Sequence, residues 1–177
     1  MTGKILSLAI LFSALIAGAA LYYLQVYAFY DEVPPPAPAD IVLTPVAGGA
    51  PDPLPFDAFR GIDATSSPIR YRACFSTPLS LATLSETYMP YPDAEPLNAP
   101  GWFACFDANA IADGLRSGTA LAFLSEENIG YGVDRVIVVF DDGRAYAWHQ
   151  LNDCGEKAYD GTPVGDACPP RPTEDAS

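Results

Sequence analysis

Residues 5–30 read ILSLAILFSALIAGAALYYLQVYAFY and contain no acidic, basic or histidine side chain. At about 1.5 Å of rise per residue, a helix from Ile5 to Leu24 spans about 30 Å, the thickness of the hydrocarbon core of a bilayer. A helix satisfies its own backbone hydrogen bonds where no water is present. The stretch therefore predicts a transmembrane helix, and its aromatic C-terminal end is typical of the headgroup region.

The charges on either side of this span predict its orientation. Lys4 precedes the span, whereas Asp31 and Glu32 follow it. Because basic residues favour the cytoplasmic side, we predict a cytoplasmic tip at residues 1–4, an inner-membrane signal-anchor at 5–30 and a periplasmic remainder. An alternative stays open, since Ala17-Gly18-Ala19 has the small-x-small pattern of signal-peptide cleavage. Apolar residues continue for about eleven positions beyond it, which favours an uncleaved anchor.

The chain beyond the span is strongly acidic. It carries 22 acidic and 8 basic residues, a net charge of −14, within a chain whose total is −13. Such a charge is repelled by phosphate backbones and by anionic lipid headgroups. Nucleic-acid binding is thereby disfavoured, and basic partners or cations are favoured. The alternative, which we favour, is that the charge serves solubility alone.

All four cysteines lie beyond the span, at Cys74, Cys105, Cys154 and Cys168. An even number of cysteines in an oxidising compartment predicts two disulfides. Three pairings are possible. We favour Cys74–Cys105 and Cys154–Cys168, because each closes a compact local loop.

Proline content divides the remaining chain. Residues 33–55 hold eight of the eighteen prolines. Proline fixes φ and removes an amide donor, so residues 31–55 are predicted to form a semi-rigid linker, in which residues 41–43 could be a short edge strand. Residues 169–177 are predicted to be a disordered tail. A single periplasmic domain at residues 56–168 is long enough for one core.

Periodicity within this domain predicts an α+β fold. Residues 69–76 and 144–150 alternate between apolar and polar side chains as half-buried strands do, and residues 136–140 are apolar on both faces. Thr77-Pro78 predicts the start of one short helix, and Asp107 and Gly118 predict the bounds of a second. Asp141-Asp142-Gly143 predicts a hairpin. We expect an antiparallel sheet with two short helices packed on it, after the N-terminal transmembrane helix.

Several stretches carry a family resemblance: LIAGAALYYLQVYAFYDEV, RACFSTPLSLATLSETY, PGWFACFDANAI, YGVDRVIVVFDDGRAYAWHQLNDCGEK and ACPP. Together they resemble a family of short, single-span alphaproteobacterial membrane proteins of unknown function. Members sometimes carry a histidine kinase label. This sequence does not support that label, because His149 is its only histidine and it has no motif for binding ATP. The resemblance implies an architecture and supplies no catalytic residues.

Catalytic, metal and cofactor motifs are not evident. There is no G-x-S-x-G elbow and no C-x2-C pair, although His149, Asp153, Cys154 and Cys168 lie close in sequence. The acidic turns at 141–143 and 160–161 lack EF-hand spacing, so only a weak cation site stays open there. We predict no catalytic residues, no metal and no cofactor. The alternative is a periplasmic hydrolase that uses carboxylates such as Asp153 and Glu156 near His149.

One strand offers a candidate binding face, formed by Arg144, Tyr146, Trp148 and Gln150. Aromatic and arginine side chains dominate interaction hot spots, so this face could bind a partner. The other interpretation is that the face belongs to the core. The leading hypothesis is a membrane-anchored, non-catalytic periplasmic domain that binds another envelope protein; the sequence does not predict an oligomeric state.

Overall fold

The computed structural model describes residues 2–37, 40–166 and 168–170. Within these residues an α-helix comes first and continues into a π-helical segment, and eight strands and two short helices follow. In chain order the elements are α1 (Thr2–Tyr23), the π-helix (Leu24–Ala28), β1 (Asp31–Val33), β2 (Val42–Leu43), β3 (Asp52–Pro53), β4 (Asp57–Asp63), β5 (Arg72–Ser76), α2 (Leu81–Thr87), α3 (Ala108–Ser117), β6 (Ala120–Gly130), β7 (Val133–Phe140) and β8 (Arg144–Leu151).

The N-terminal helix is apolar and exposed throughout. Gly3–Ala28 has a mean hydropathy of 2.3, is long enough to cross a membrane, and buries none of its most apolar window inside the protein. A helix that exposes apolar side chains on every face lacks the stripe by which a soluble helix packs on a core. The predicted N-terminal apolar helix is confirmed.

Six strands form one antiparallel sheet in the order β1-β4-β5-β8-β7-β6, and β2 pairs with β3 in a separate small ribbon. The predicted hairpin is present between β7 and β8, with Gly143 at φ +86°. The apolar strand β7 is covered on both faces, as predicted. Ile137 and Val139 belong to one core, and Val136 and Val138 belong to the other.

The two short helices lie against opposite faces of the sheet. Leu84 of α2 belongs to the first core and Ile111 of α3 to the second. The caps of α3 are as predicted: Asp107 accepts hydrogen bonds from the amides of residues 109 and 110, and Gly118 ends the helix at φ +76°. The predicted start of α2 at Thr77-Pro78 is wrong.

The cap of α2 is Ser80 instead. Its hydroxyl accepts from the amide of Thr83 at 3.2 Å, as an N-cap side chain does. Thr77 forms a local turn, in which its hydroxyl accepts from the amide of Leu79 at 3.4 Å. Two residues of the same capping chemistry lie three positions apart, and the one next to the first helical residue is the one used.

The structure differs from the predicted linker over residues 31–55. Residues 31–33 are the edge strand of the large sheet, and Ile41, Leu43 and Leu54 are almost fully buried in the first core. These side chains belong to the same core as Ala145 and Ala147 of β8. The Pro-rich segment thus shares the first core with Leu84 of α2. Residues 38 and 39 of the segment, and 171–177 of the predicted tail, lie outside the described residues.

The disulfides join Cys74 to Cys105 and Cys154 to Cys168, which is the pairing favoured from the sequence. The first connects β5 to the loop before α3 across the second core. The second closes the segment that follows β8. With an N-terminal apolar helix, a mostly antiparallel sheet and two disulfides, the predicted fold class is confirmed.

The apolar helix is attached directly to the sheet. Only Phe29 and Tyr30 separate the end of the π-helix from β1. The indole Nε1 of Trp102 donates to the carbonyl of Val26 at 2.7 Å, and the Trp102 ring stacks on Tyr27 with centroids 6.4 Å apart. We call this contact the helix–domain junction. It brings the aromatic end of the helix against the domain.

Candidate functional site

A cleft lies at the end of the sheet where β6 and β8 end and β7 begins. It has a volume of about 580 Å³. Its walls come from the loop after α2, from β6, β7 and β8, and from the segment closed by Cys154–Cys168. The lining residues are Tyr91, Pro92, Asp93, Glu95, Glu127, Asp134, Gln150, Leu151, Asn152, Asp153, Cys154, Glu156, Gly165 and Asp166.

Carboxylates dominate this acidic cleft. Seven of its lining side chains are Asp or Glu, and none is Lys, Arg or His. Walls of one sign focus the electrostatic potential within a cleft and attract ligands of the opposite charge. The cleft therefore repels phosphate and carboxylate groups, and its complement is a cationic group.

Asp134 forms the floor of the acidic cleft and is buried. Its Oδ1 accepts from the amide of Asn128 at 2.9 Å and from Nδ2 of Asn152 at 2.7 Å, while its Oδ2 accepts from the Tyr91 hydroxyl at 3.1 Å. Burial, followed by the charge of Asp134, raises the pKa of Tyr91. Tyr91 is therefore a neutral donor, and these contacts fix the β6–β7 turn to β8.

Asn152 also holds the wall formed by the segment after β8. Its Oδ1 accepts from the amides of Cys154 at 3.0 Å and Gly155 at 3.2 Å. The backbones of Gly155 and Gly132 approach so closely that a Cβ on Gly155 would overlap the Gly132 carbonyl oxygen. Close backbone packing at this point requires glycine.

Substitution of Gly155 by Ala is expected to destabilise the protein by more than about 1 kcal/mol, because the added methyl group pushes the cleft wall away from the β6–β7 turn. Urea-induced unfolding of the full-length protein in detergent micelles measures the loss. Gly130→Ala is the matched control, because a Cβ there has nothing within 4 Å. Equal effects of the two substitutions would show that the close approach is unimportant.

His149 lies apart from the acidic cleft, in a buried polar cluster. Its Nδ1 is 2.8 Å from the carbonyl of Pro68, and Nε of Arg135 donates to its Nε2 at 3.1 Å. The Tyr71 ring stacks on the imidazole with centroids 4.6 Å apart. These partners require a proton on Nδ1 and a lone pair on Nε2, so the ring is neutral. Burial lowers the pKa of His149 to about 4.

The hydrolase alternative requires His149 beside Asp153 and Glu156, and the fold separates these residues. Asp153 and Glu156 line the acidic cleft, whereas His149 lines a different cavity of about 350 Å³ with Asp63 and Pro68. Both ring nitrogens of His149 already have partners within the protein. A general base must reach the proton it removes. The arrangement described does not offer His149 for that role.

The predicted binding face on β8 is divided between core and surface. Trp148 is fully buried and Tyr146 is buried, both within the second core, as the core interpretation expects. Arg144 is exposed and pairs with Asp142 at 2.7 Å, and Gln150 lines the acidic cleft, where its Oε1 accepts from the amide of Glu95. Binding by these four residues stays a prediction, and the structure leaves Arg144 and Gln150 as its accessible part.

No group of three or more His, Cys, Asp or Glu side chains with metal-binding geometry occurs in the part of the chain that the structure describes. Cys154 and Cys168, which lie near His149 in sequence, are both used in a disulfide.

A comparison with protein families finds one that matches most of the sheet domain. Residues 41–169, more than half of the chain, match the Family of unknown function (DUF6446). The chain belongs to this family. The DUF6446 match begins at Ile41, so it includes residues 41–55 of the Pro-rich segment and does not extend over the apolar helix. No curated protein matches the chain, and no solved structure matches it.

The acidic cleft of this DUF6446 chain was missed by sequence reasoning. Its carboxylates come from segments as far apart as residues 93 and 166, and no local motif marks them. The contact of Trp102 with Val26 was missed as well, since no sequence pattern marks it. The fold brings the carboxylates of the cleft together, and it also brings Trp102 to Val26.

Proposed function

We propose that the protein is a single-pass, inner-membrane-anchored domain on the periplasmic side that acts by binding another envelope protein and performs no catalysis. The observation that carries this proposal is the exposed apolar helix, none of which is buried although it is joined directly to a folded domain. An apolar surface of this extent requires lipid around it.

Three further features support the membrane orientation. Lys4 precedes the helix, and Asp31 and Glu32 follow it, as expected for a cytoplasmic N-terminus. Two disulfides are consistent with an oxidising compartment. The resemblance to single-span alphaproteobacterial membrane proteins fits the same arrangement, and a histidine kinase role does not fit a chain whose only histidine is buried.

A binding role is supported by the acidic cleft. A cavity with seven carboxylates and no basic lining residue suits a basic segment of a partner. Because β1 pairs with the sheet, the surface presented to a partner includes exposed side chains of residues 31–37 and 40–55. The hydrolase alternative has no observation in its favour, since His149 is separated from Asp153 and Glu156.

The membrane anchor is tested by placing arginine in the middle of the helix. Leu11→Arg with Leu15→Arg is expected to move the protein from the carbonate-resistant membrane fraction to the soluble fraction, because each arginine costs roughly 2.5–3.5 kcal/mol at the bilayer centre. Leu11→Ile with Leu15→Ile is the matched control and should remain membrane-bound. Retention of the arginine variant in membranes would refute anchoring by this helix.

Topology and processing are tested on the same cells. A reporter fused after Ser177 is expected to be active only when it is exported, and the intact mass should include the N-terminal helix. A cytoplasmic reporter, or a mature chain that begins near Ala20, would contradict the anchored periplasmic domain.

The partner is sought by crosslinking in membranes, followed by detergent solubilisation. Recovery of the same partners with the wild type and with a cleft variant, Asp93→Asn with Asp153→Asn, would exclude the acidic cleft as the binding site.

A further inference from the structure

A second cavity lies beside the helix–domain junction and has a volume of about 530 Å³, within the range of ligand pockets. It is formed at the β1–β4 edge of the sheet and on the loop before α3. Its lining residues are Glu32, Val33, Pro34, Pro35, Phe59, Arg60, Gly61, Trp102 and Phe103. We call it the junction cavity.

Trp102 places the junction cavity at the level of the aromatic end of the helix. The indole that lines the cavity is the one that donates to the carbonyl of Val26. Its ring contacts both Tyr27 and Tyr30, with centroids 6.4 Å and 6.1 Å away. Trp and Tyr side chains settle among lipid headgroups. With the helix anchored as proposed, the cavity lies at the level of the lipid headgroups.

The junction cavity also offers separated charges of opposite sign. The guanidinium of Arg60 lies 5.7 Å from the centroid of the Phe103 ring, is exposed, and has no carboxylate at ion-pair distance among the described residues. Glu32 of β1 pairs with Ile62, so Glu32 and Arg60 are diagonal neighbours on one face of the sheet, at about 7–8 Å. The Arg60 guanidinium is therefore open to an anionic group from outside the protein.

We propose that the junction cavity binds the headgroup of a zwitterionic phospholipid of the membrane, with the phosphate on Arg60 and the ammonium group near Glu32 and the face of Trp102. Guanidinium groups bind phosphate through charge-assisted hydrogen bonds, and aromatic faces attract ammonium groups. This inference rests on the proposed membrane anchoring. The acidic domain repels lipids with a net negative charge, which favours a headgroup that carries both charges.

The position of the cavity distinguishes a lipid from a free phosphate ion. A lipid bound here keeps its acyl chains along the exposed apolar residues of the helix, beside Tyr23 and Tyr27. A free phosphate ion would gain only Arg60 and would face Glu32 and the charge of the whole domain. The lipid thus adds apolar contacts that the ion does not have.

The test uses the full-length protein in nanodiscs of phosphatidylethanolamine, phosphatidylcholine or phosphatidylglycerol, released into the gas phase for native mass spectrometry. The wild type is expected to retain one zwitterionic lipid. Arg60→Gln should reduce the retained fraction about tenfold or more, because a charge-assisted hydrogen bond is lost. Arg116→Gln is the matched control, since Arg116 is exposed on α3 and pairs with Asp113.

Three results would overturn the proposal. They are equal retention by wild type and Arg60→Gln, stronger retention of phosphatidylglycerol than of the zwitterionic lipids, and displacement of the bound lipid by millimolar inorganic phosphate. Incorporation into the nanodisc is scored separately. Wild type that incorporates but keeps no lipid refutes the headgroup site alone, whereas wild type that fails to incorporate refutes the anchor and the site together.

Discussion

His149 is expected to lower the free energy of unfolding by about 3 kcal/mol on acidification from pH 7 to pH 4, because the folded protein keeps its ring neutral. The pKa of His149 falls from 6.5 in the unfolded chain to about 4 in the folded protein, mainly through burial. Between these values the unfolded chain binds a proton that the folded protein excludes. Stability is therefore fully present above pH 6.5 and is lost as the pH falls towards 4.

The groups around His149 determine how much of this loss is seen. Arg135 and Arg72 oppose protonation of the ring through their charges, and the Pro68 carbonyl favours it. Burial raises the pKa of Asp63, which lines the same cavity. The contribution of Asp63 has the opposite sign, since the folded protein takes up that proton more readily than the unfolded chain does. It offsets part of the histidine effect at the acid end.

The effect is measured by urea-induced unfolding of the full-length protein in micelles, followed through the fluorescence of buried Trp148. His149→Gln is expected to be less stable than wild type at pH 7, because the contacts with Pro68 and Arg135 are altered. Between pH 6.5 and pH 4 its free energy of unfolding should depend less steeply on pH than that of the wild type. The difference in slope corresponds to about one proton, the one that unfolded wild type binds at His149. Identical pH slopes for wild type and His149→Gln would show that the histidine titrates equally in both states.

Removal of the Cys74–Cys105 disulfide is expected to cost about 4 kcal/mol, and removal of Cys154–Cys168 about 3 kcal/mol. The estimate follows from the loop each one closes, 31 and 14 residues in sequence separation, and from the chain entropy that the crosslink removes from the unfolded state. Either value is a large part of the roughly 5–15 kcal/mol that stabilises a domain.

The two disulfides are expected to differ in what their loss disturbs. Cys74 is buried within β5, so Cys74→Ala with Cys105→Ala loosens the second core as a whole. Cys154→Ala with Cys168→Ala frees the wall of the acidic cleft and leaves the cores intact. Hydrogen exchange on the two double variants separates these outcomes. Faster exchange in β7 for the Cys154/Cys168 variant than for the Cys74/Cys105 variant would contradict this assignment.

Elements governed by local chemistry were predictable from the sequence. The apolar helix follows from composition alone, α3 from Asp107 and Gly118, and the β7–β8 hairpin from Gly143. Each depends on contacts between residues a few positions apart, which is the distance over which sequence patterns carry information.

Elements that depend on pairing between residues distant in sequence were not predictable in this way. The edge strand β1 pairs with β4 across a separation of about thirty residues, and β4 contains a register shift with Ala58 at φ +55°, which disrupts any simple alternation. The Pro-rich segment was interpreted from its prolines, whereas its position depends on three apolar side chains that bury themselves against β8 and its neighbours. The acidic cleft has the same origin, since only the fold brings its carboxylates together.

The short passage from the π-helix to β1 limits how far this protein can act. Three peptide units connect Ala28 to Asp31, and they extend over no more than about 11 Å. In the anchored arrangement proposed above, the domain extends from the bilayer surface only by its own thickness, because no stalk separates it from the helix. A partner must therefore come down to the bilayer surface or share the same membrane, and any tilt or rotation of the helix is transmitted to the edge of the sheet.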